Sequence, residues 1–214
     1  MPETTPRTPA PQGVRPGRRE RHRAEVRGRL LRAALRLFAE RGFTATTVAD
    51  ITEAADVGKG TFFNYFPSKE HVLAAFGEMQ MGKVEQAWER VRAGKEPLRE
   101  VLRWMVHRLA EEPGRSQTFV RSVMAAHLMN ESVREHLLRN LERGRRNLAK
   151  IFALGQERGD IRRDLRPAEL ARIFQQFFFG TVFFWSLQPA SKLMVWLDPG
   201  FDLLWAAVAA GKKK

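Results

Sequence analysis

The chain has 214 residues, no cysteine and a formal net charge of +13 at pH 7. This length is sufficient to bury a substantial hydrophobic core. The lack of cysteine excludes disulfides and thiolate metal sites and suits a reducing cytoplasm, where we expect to find the protein. The basic excess favours a polyanionic partner without identifying one.

Residues 1–21 are predicted to form a disordered basic arm. Residues 1–17 contain five of the eleven prolines and few hydrophobic side chains, so they cannot form a core. Seven arginines lie between Arg15 and Arg29. Two interpretations remain open for this arm: a solubilising tail, or a segment that contacts DNA phosphates or the minor groove.

A first helix is predicted from His22 to Arg41, followed by Gly42. Hydrophobic residues recur along it at helical spacing, which indicates one buried face. That face is predicted to consist of Val26, Leu30, Ala34, Leu37 and Phe38.

Residues 44–70 contain two short helical patterns separated by a tight turn, the arrangement of a helix-turn-helix. Thr47 and Asp50 have the spacing of a capping box, which predicts a helix that begins near Val48. Asp56 lies in the turn, where a left-handed backbone is needed and Asp tolerates one.

The second short helix is predicted to begin after Gly58, which serves as its N-cap. Phe62 and Phe66 are one turn apart and should face inward. The polar side chains between them then face outward, as in a recognition helix.

A set of positions in this segment follows a known family pattern: Phe43, Thr47, Ile51, Ala55, Val57, Lys59-Gly60-Thr61, Tyr65-Phe66 and Ser68-Lys69-Glu70. The segment thereby resembles the DNA-binding domain of the tetracycline-repressor (TetR) family. Two positions depart from that pattern. Asp56 replaces the common turn glycine, and Phe63 replaces a tyrosine that contacts a phosphate in many relatives.

The resemblance implies an all-α fold of about nine helices. An N-terminal three-helix DNA-binding domain would occupy residues 22–67, and a larger helical domain for effector binding and dimerisation would occupy residues 68–214. Six helices are predicted in the second domain: Ser68–Ala93, Pro97–Glu111, Gly114–Met129, Ser132–Arg158, Pro167–Leu187 and Pro199–Ala210.

The resemblance also implies that the protein is a ligand-responsive transcriptional repressor. It would bind a pseudo-palindromic operator as a dimer, and a small effector would release it from the DNA. The partners would be double-stranded operator DNA, the effector and a second copy of the chain. The DNA contacts implied are Thr46, Thr47, Lys59, Tyr65 and Lys69 on phosphates, and Gly60, Thr61, Phe63 and Asn64 near the bases.

Residues 173–187 form the most apolar stretch of the chain. It is shorter than the ~20 residues needed to span a bilayer and contains Gln175 and Gln176, so no membrane partner is predicted. A helix that is apolar on nearly all sides must be buried on nearly all sides. We therefore expect the last two helices to form the dimer interface, with Gly180 allowing close approach.

We find no pattern of residues that indicates a catalytic site, a metal site or a bound cofactor, so the chain is not predicted to be an enzyme. The many Phe and Met residues of the second domain favour an apolar or aromatic effector. The residues predicted to contact it are Trp104, Met105, Met124, His127, Leu128, Phe152, Phe174, Phe177, Phe178 and Phe184.

Two alternatives remain. An architectural DNA-binding protein would use the same basic surface without sequence preference and with a steep salt dependence. A helical enzyme or carrier of small molecules would use the apolar pocket.

Overall fold

The computed structural model describes residues 17–210 and contains nine α-helices and one short 3₁₀-helix in that range. No strand forms between these residues, although Ile161 and Ala209 pair in an isolated bridge. The predicted all-α fold class is therefore confirmed. The helices are α1 (Arg18–Arg41), α2 (Val48–Ala54), α3 (Lys59–Phe63), α4 (Lys69–Ala93), α5 (Leu98–Ala110), the 3₁₀-helix (Pro113–Arg115), α6 (Gln117–Met129), α7 (Glu131–Arg158), α8 (Pro167–Ser186) and α9 (Met194–Val208).

The first helix begins four residues earlier than expected, so residues 18–21 of the predicted arm are helical. Residues 1–16 of that arm lie outside the described residues. All five side chains of the predicted inward face are buried. The helix ends at Gly42, whose φ of 87° is a conformation that favours glycine.

The two short helices follow the predicted pattern closely. Thr47 caps α2, and its side chain and that of Asp50 form a reciprocal capping box. Asp56 has a φ of 52°, which is the left-handed conformation that the turn requires. Gly58 is the extended residue before α3.

The C-terminal helices form a bundle in which α7 contacts α4, α6 and α8. The shorter α5 packs between α4 and α9, and α6 also contacts α1. The loop between α7 and α8 is joined to the end of α9, where Arg162 donates its backbone N–H to the carbonyl of Val208 (2.9 Å). The loop between α7 and α8 is thereby attached to the end of α9, while α6 packs against both α7 and α1.

Two predicted boundaries are corrected by the structure. A 3₁₀ turn occupies residues 113–115, so α6 begins at Gln117 rather than at Gly114. The last helix begins at Met194 and continues through Pro199, where it was predicted to begin. Leu193, Leu197 and Phe201 are spaced four residues apart and all are buried, so they form one hydrophobic face. Packing of this face stabilises the helix although Pro199 has no backbone N–H to donate.

Candidate DNA-binding surface and ligand cavity

The outward face of α3 is the candidate surface for base contacts. Phe62 and Phe66 are buried, with ring centroids 5.6 Å apart, and fix the helix against the core. Lys59 and Asn64 are exposed on the opposite side, and Phe63 is 49% exposed. A cation, an amide and an apolar ring thus face solvent together, a combination that suits phosphates, base edges and thymine methyl groups.

Three further predicted DNA contacts lie around this face. Gly60 is exposed, and a Cβ placed there would have nothing within 4 Å, so the backbone of α3 is open to a close partner. Thr61 and Tyr65 are half-buried beside it. The structure brings these residues together on one surface, and their contact with DNA stays a prediction.

Thr47 lies exposed at the start of α2, and its hydroxyl is engaged within the capping box. The hydroxyl donates to Oδ2 of Asp50 (2.8 Å) and accepts from the Asp50 backbone N–H (3.1 Å). The backbone N–H and the hydroxyl of Thr47 both donate to the Asp50 carboxylate and lower its pKa, with the backbone N–H contributing most. The hydroxyl proton of Thr47 is therefore directed to Asp50, and its predicted phosphate contact stays untested.

Two of the residues predicted to contact phosphates have internal hydrogen-bond partners. Thr46 is fully buried and donates its hydroxyl to the carbonyl of Gly42 (2.8 Å), so its side chain does not reach the surface. The ammonium of Lys69 donates to the carbonyls of Phe43 (2.7 Å) and Thr46 (2.8 Å) and lies 4.4 Å from the centre of the Phe43 ring. Burial lowers the pKa of Lys69. Both side chains hold the segment before α2 in place.

The C-terminal bundle encloses an apolar cavity of about 150 Å³. Five of the ten predicted effector contacts line it: Met105, Met124, His127, Phe174 and Phe178. None of the described residues that line the cavity has a charged side chain. The site therefore suits a neutral, largely apolar molecule.

The other five residues predicted to contact the effector do not line this cavity, and their contact with an effector stays a prediction. Trp104 packs against the guanidinium of Arg90, whose Cζ atom lies 4.1 Å from the centre of the Trp104 ring. Phe152 is buried against the edge of the Phe174 ring, outside the cavity lining.

The remaining three face other surroundings. Leu128 and Phe184 are 76% and 59% exposed. Phe177 packs near Gly200 of α9, where a Cβ would lie 2.5 Å from its ring. These residues were chosen because they are apolar and lie on predicted helices. Neither property distinguishes a cavity wall from a packed core or an exposed face.

Most residues of the cavity wall were not predicted. The majority of them lie on the inward faces of α4 and α7, and the composition of these faces is not unusual. The cavity lies between side chains of six elements, α4, α5, the 3₁₀-helix, α6, α7 and α8, and a single sequence gives no signal for such a void. The missed residues include Phe76, Gln80, Met81, Phe119, Val123, His136, Asn140, Gly144, Gln175 and Phe179.

Four polar side chains on the cavity wall hydrogen-bond to backbone carbonyls. Nε2 of Gln80 donates to Leu109 (2.8 Å), and Nε2 of Gln175 donates to Leu141 (2.8 Å).

The other two are histidines, each of which bonds the carbonyl four residues before it on its own helix. Nδ1 of His127 lies 2.6 Å from the carbonyl oxygen of Val123, and Nδ1 of His136 lies 2.7 Å from that of Ser132. Burial lowers the pKa of His127, so its ring is neutral at pH 7.

Comparison with known proteins identifies the chain. The family model described as "Bacterial regulatory proteins, tetR family" matches residues 30–76. The transcriptional repressor DhaR of Mycobacterium sp. (strain GP1) is 33% identical over 153 residues, which cover 70% of this chain and 76% of DhaR. The chain belongs to the TetR family. The regulator TcmR of Streptomyces glaucescens is 32% identical over 170 residues, covering 75% of this chain and 73% of TcmR.

A solved TetR-family structure has the same fold. It is that of FadR, a transcriptional repressor from Thermus thermophilus in complex with lauroyl-CoA, with a TM-score of 0.59 and 30% identity. The alignment covers 83% of this chain and 92% of FadR.

TetR-family membership confirms the prediction of a ligand-responsive transcriptional repressor with a helix-turn-helix. The family consists of transcriptional regulators rather than enzymes, and its members bind operator DNA and a small effector. Neither alternative function is favoured. Among the helices described in residues 17–210, none is both long and apolar enough to cross a membrane. That range also contains no group of three or more His, Cys, Asp or Glu residues suited to a metal ion.

Proposed function

We propose that this TetR-family repressor holds two copies of α3 in successive major grooves of a pseudo-palindromic operator. The observation that supports this most directly is the exposed face of α3, supported from behind by two buried phenylalanine rings. Residues 22–67 are the DNA-binding domain in this proposal, and residues 68–214 bind the effector and the second subunit. Operator binding is consistent with the predicted cytoplasmic location.

The exposed residues divide into two groups by chemistry. Lys59, Tyr65 and Thr47 contact phosphates and set the position of α3 along the duplex. Thr61, Phe63 and Asn64 approach the bases, where the amide can bond adenine and the phenylalanine ring can contact a thymine methyl group. Gly60 allows the helix backbone to approach the DNA closely.

The second subunit is proposed to pack on α8 and α9, as predicted. The outer faces of these helices expose several large hydrophobic side chains, and a Cβ at Gly180 would meet nothing within 4 Å in the single chain. A patch of this kind on one side of a protein is typical of a subunit interface. The exposed side chains are Ile173, Phe183, Phe184, Leu187, Val195, Trp196 and Leu203.

Changing Leu203 to Glu tests this interface, because the side chain is 75% exposed on α9 and a carboxylate there would be buried without a partner in the dimer. The expected result is a monomer by light scattering at micromolar concentration. Leu128→Glu is the matched control, since Leu128 is equally exposed but lies on α6. A Leu203→Glu protein that remains dimeric would contradict the proposed interface.

The apolar cavity is proposed as the effector site. The helices α4 and α6 line it, and both are attached to the DNA-binding part: α4 follows that part directly, and Ser116 at the start of α6 donates its hydroxyl to the carbonyl of Ala39 (2.8 Å). An effector that moves α4 or α6 would change the separation of the two α3 helices. The lauroyl-CoA bound by FadR supports an effector with an apolar portion.

Selection of bound duplexes from a random DNA pool at near-physiological salt tests the DNA part of the proposal. A two-fold symmetric motif is expected, and Phe63→Ala should change the preferred bases within it while Lys59→Ala weakens binding to all sequences alike. Retention of DNA without any motif would instead favour the architectural alternative. Titration of the selected operator complex with acyl-CoAs, fatty acids, aromatic acids and neutral phenols then tests release.

A further inference from the structure

The polar groups around the cavity differ in what they can offer a ligand. Gln80 and Gln175 each use their side-chain N–H on a backbone carbonyl, which leaves the oxygen of each amide. An amide oxygen can only accept a hydrogen bond. Oε1 of Gln80 is buried from solvent and has no hydrogen-bond donor within residues 17–210. A buried acceptor without a donor is unfavourable by an amount comparable to a lost hydrogen bond.

The two histidines have the same arrangement. A carbonyl oxygen can only accept, so the proton of each ring must lie on the Nδ1 atom that faces Val123 or Ser132. In a neutral ring, Nε2 is then an acceptor. Gln80, Gln175 and the neutral ring of His127 therefore each carry an acceptor, and the amide of Asn140 has both a donor and an acceptor.

We infer that the effector is a small, neutral and mostly apolar molecule with a hydroxyl group that donates a hydrogen bond to Gln80. The inference rests on the proposed function, since it describes the effector of the same cavity. A cavity of about 150 Å³ is the size that holds one benzene ring, so a monocyclic phenol or alcohol fits it.

A carboxylate does not suit this site. A carboxylate would leave water for a cavity wall on which no described residue is a lysine or an arginine. An isolated carboxylate in such surroundings is strongly disfavoured. A hydroxyl both supplies the missing donor and remains uncharged.

The first experiment measures the binding of three matched ligands by isothermal titration calorimetry with the full chain. The ligands are 4-methylphenol, 1,4-dimethylbenzene, in which a methyl group replaces the hydroxyl, and 4-methylbenzoate. We expect 4-methylphenol to bind at least about tenfold more tightly than 4-methylbenzoate. Tighter binding of the benzoate, or no binding of any of the three, would overturn the inference.

The second experiment isolates the hydrogen bond to Gln80. Gln80→Met keeps the length of the side chain but removes the acceptor, so the affinity of 4-methylphenol relative to 1,4-dimethylbenzene should fall by about tenfold, the effect of one hydrogen bond. Gln117→Met is the control, because Gln117 also donates to a carbonyl at the end of a helix, that of Trp185 (2.9 Å), but does not line the cavity.

The control variant should leave the affinity ratio within about twofold of the wild-type value. An unchanged ratio in Gln80→Met, with 1,4-dimethylbenzene still bound, would overturn the assignment of the acceptor. These titrations contain no DNA. Failure of the proposed function would appear instead as the lack of a motif in the duplex selection, so the two failures are distinguishable.

Discussion

Two glycines on the same helix provide a test of how closely α7 is packed. Gly144 and Gly155 are both buried within α7, yet a Cβ would meet very different surroundings at the two positions. At Gly144 it would lie 3.4 Å from the side chain of Met81, which is ordinary contact. At Gly155 it would lie 2.6 Å from Leu98 and 2.8 Å from Ile161, which is overlap.

The same substitution should therefore have opposite effects. Alanine is favoured over glycine within a helix by about 1 kcal/mol. At Gly144 this gain is retained, so Gly144→Ala should stabilise the fold by about 1 kcal/mol. At Gly155 overpacking costs about 1–3 kcal/mol, because Ile161 is buried and paired with Ala209 and cannot move away easily. The net result for Gly155→Ala is a loss of about 1 kcal/mol.

Thermal unfolding at one fixed protein concentration measures both effects. For a chain of about 200 residues, 1 kcal/mol corresponds to roughly 2–4 °C in Tm. We expect Gly144→Ala to unfold a few degrees above the wild type and Gly155→Ala a few degrees below it. Shifts of the same sign for the two variants would refute the described packing of α7. Gly144→Ala should also weaken the binding of 4-methylphenol, because its methyl group enters the cavity.

Further outcomes are expected at four other residues. Phe63→Ala should lower operator affinity about tenfold by fluorescence anisotropy with an unchanged Tm, because the ring is half exposed; equal affinity would remove it from the interface. Thr47→Ala should lose about 1 kcal/mol in urea unfolding, whereas Thr44→Ala, at an exposed position with no cap, should lose little. Lys69→Met should lower the Tm but leave the salt dependence of operator binding unchanged, whereas a phosphate contact would reduce its slope. Burial lowers the pKa of His127 below its ordinary value of about 6.5, so the free energy of unfolding should decrease as pH falls below that value. The decrease should be smaller in His127→Gln, and identical pH profiles for the two proteins would contradict this.

The helix-turn-helix could be predicted in detail because its signals are local. The capping box of Thr47 and Asp50, the left-handed Asp56 and the inward pair Phe62 and Phe66 each depend on residues within a few positions of one another. The structure has all of them where they were expected.

The cavity and two of the surface assignments depend on contacts across the fold and could not be predicted in the same way. Lys69 was predicted to contact DNA, and its ammonium donates to carbonyls 23 and 26 residues away, which the neighbouring residues do not predict. The start of α9 was misplaced because Pro199 is a strong local stop signal. The burial of Leu193 and Leu197 stabilises a helix that passes through Pro199, but this stabilisation exists only in the packed fold.

The contacts of Lys69 also limit where the chain can be joined to a domain of another repressor. Its side chain ties the first turn of α4 to the segment before α2, so that turn moves together with the DNA-binding helices. A chimaera with the DNA-binding part of another repressor should therefore be joined beyond the first turn of α4, after residue 72, with Lys69 transferred along with the helices it holds. A junction at residue 68 would separate the ammonium from its carbonyls and leave the foreign domain loosely attached to the sensor.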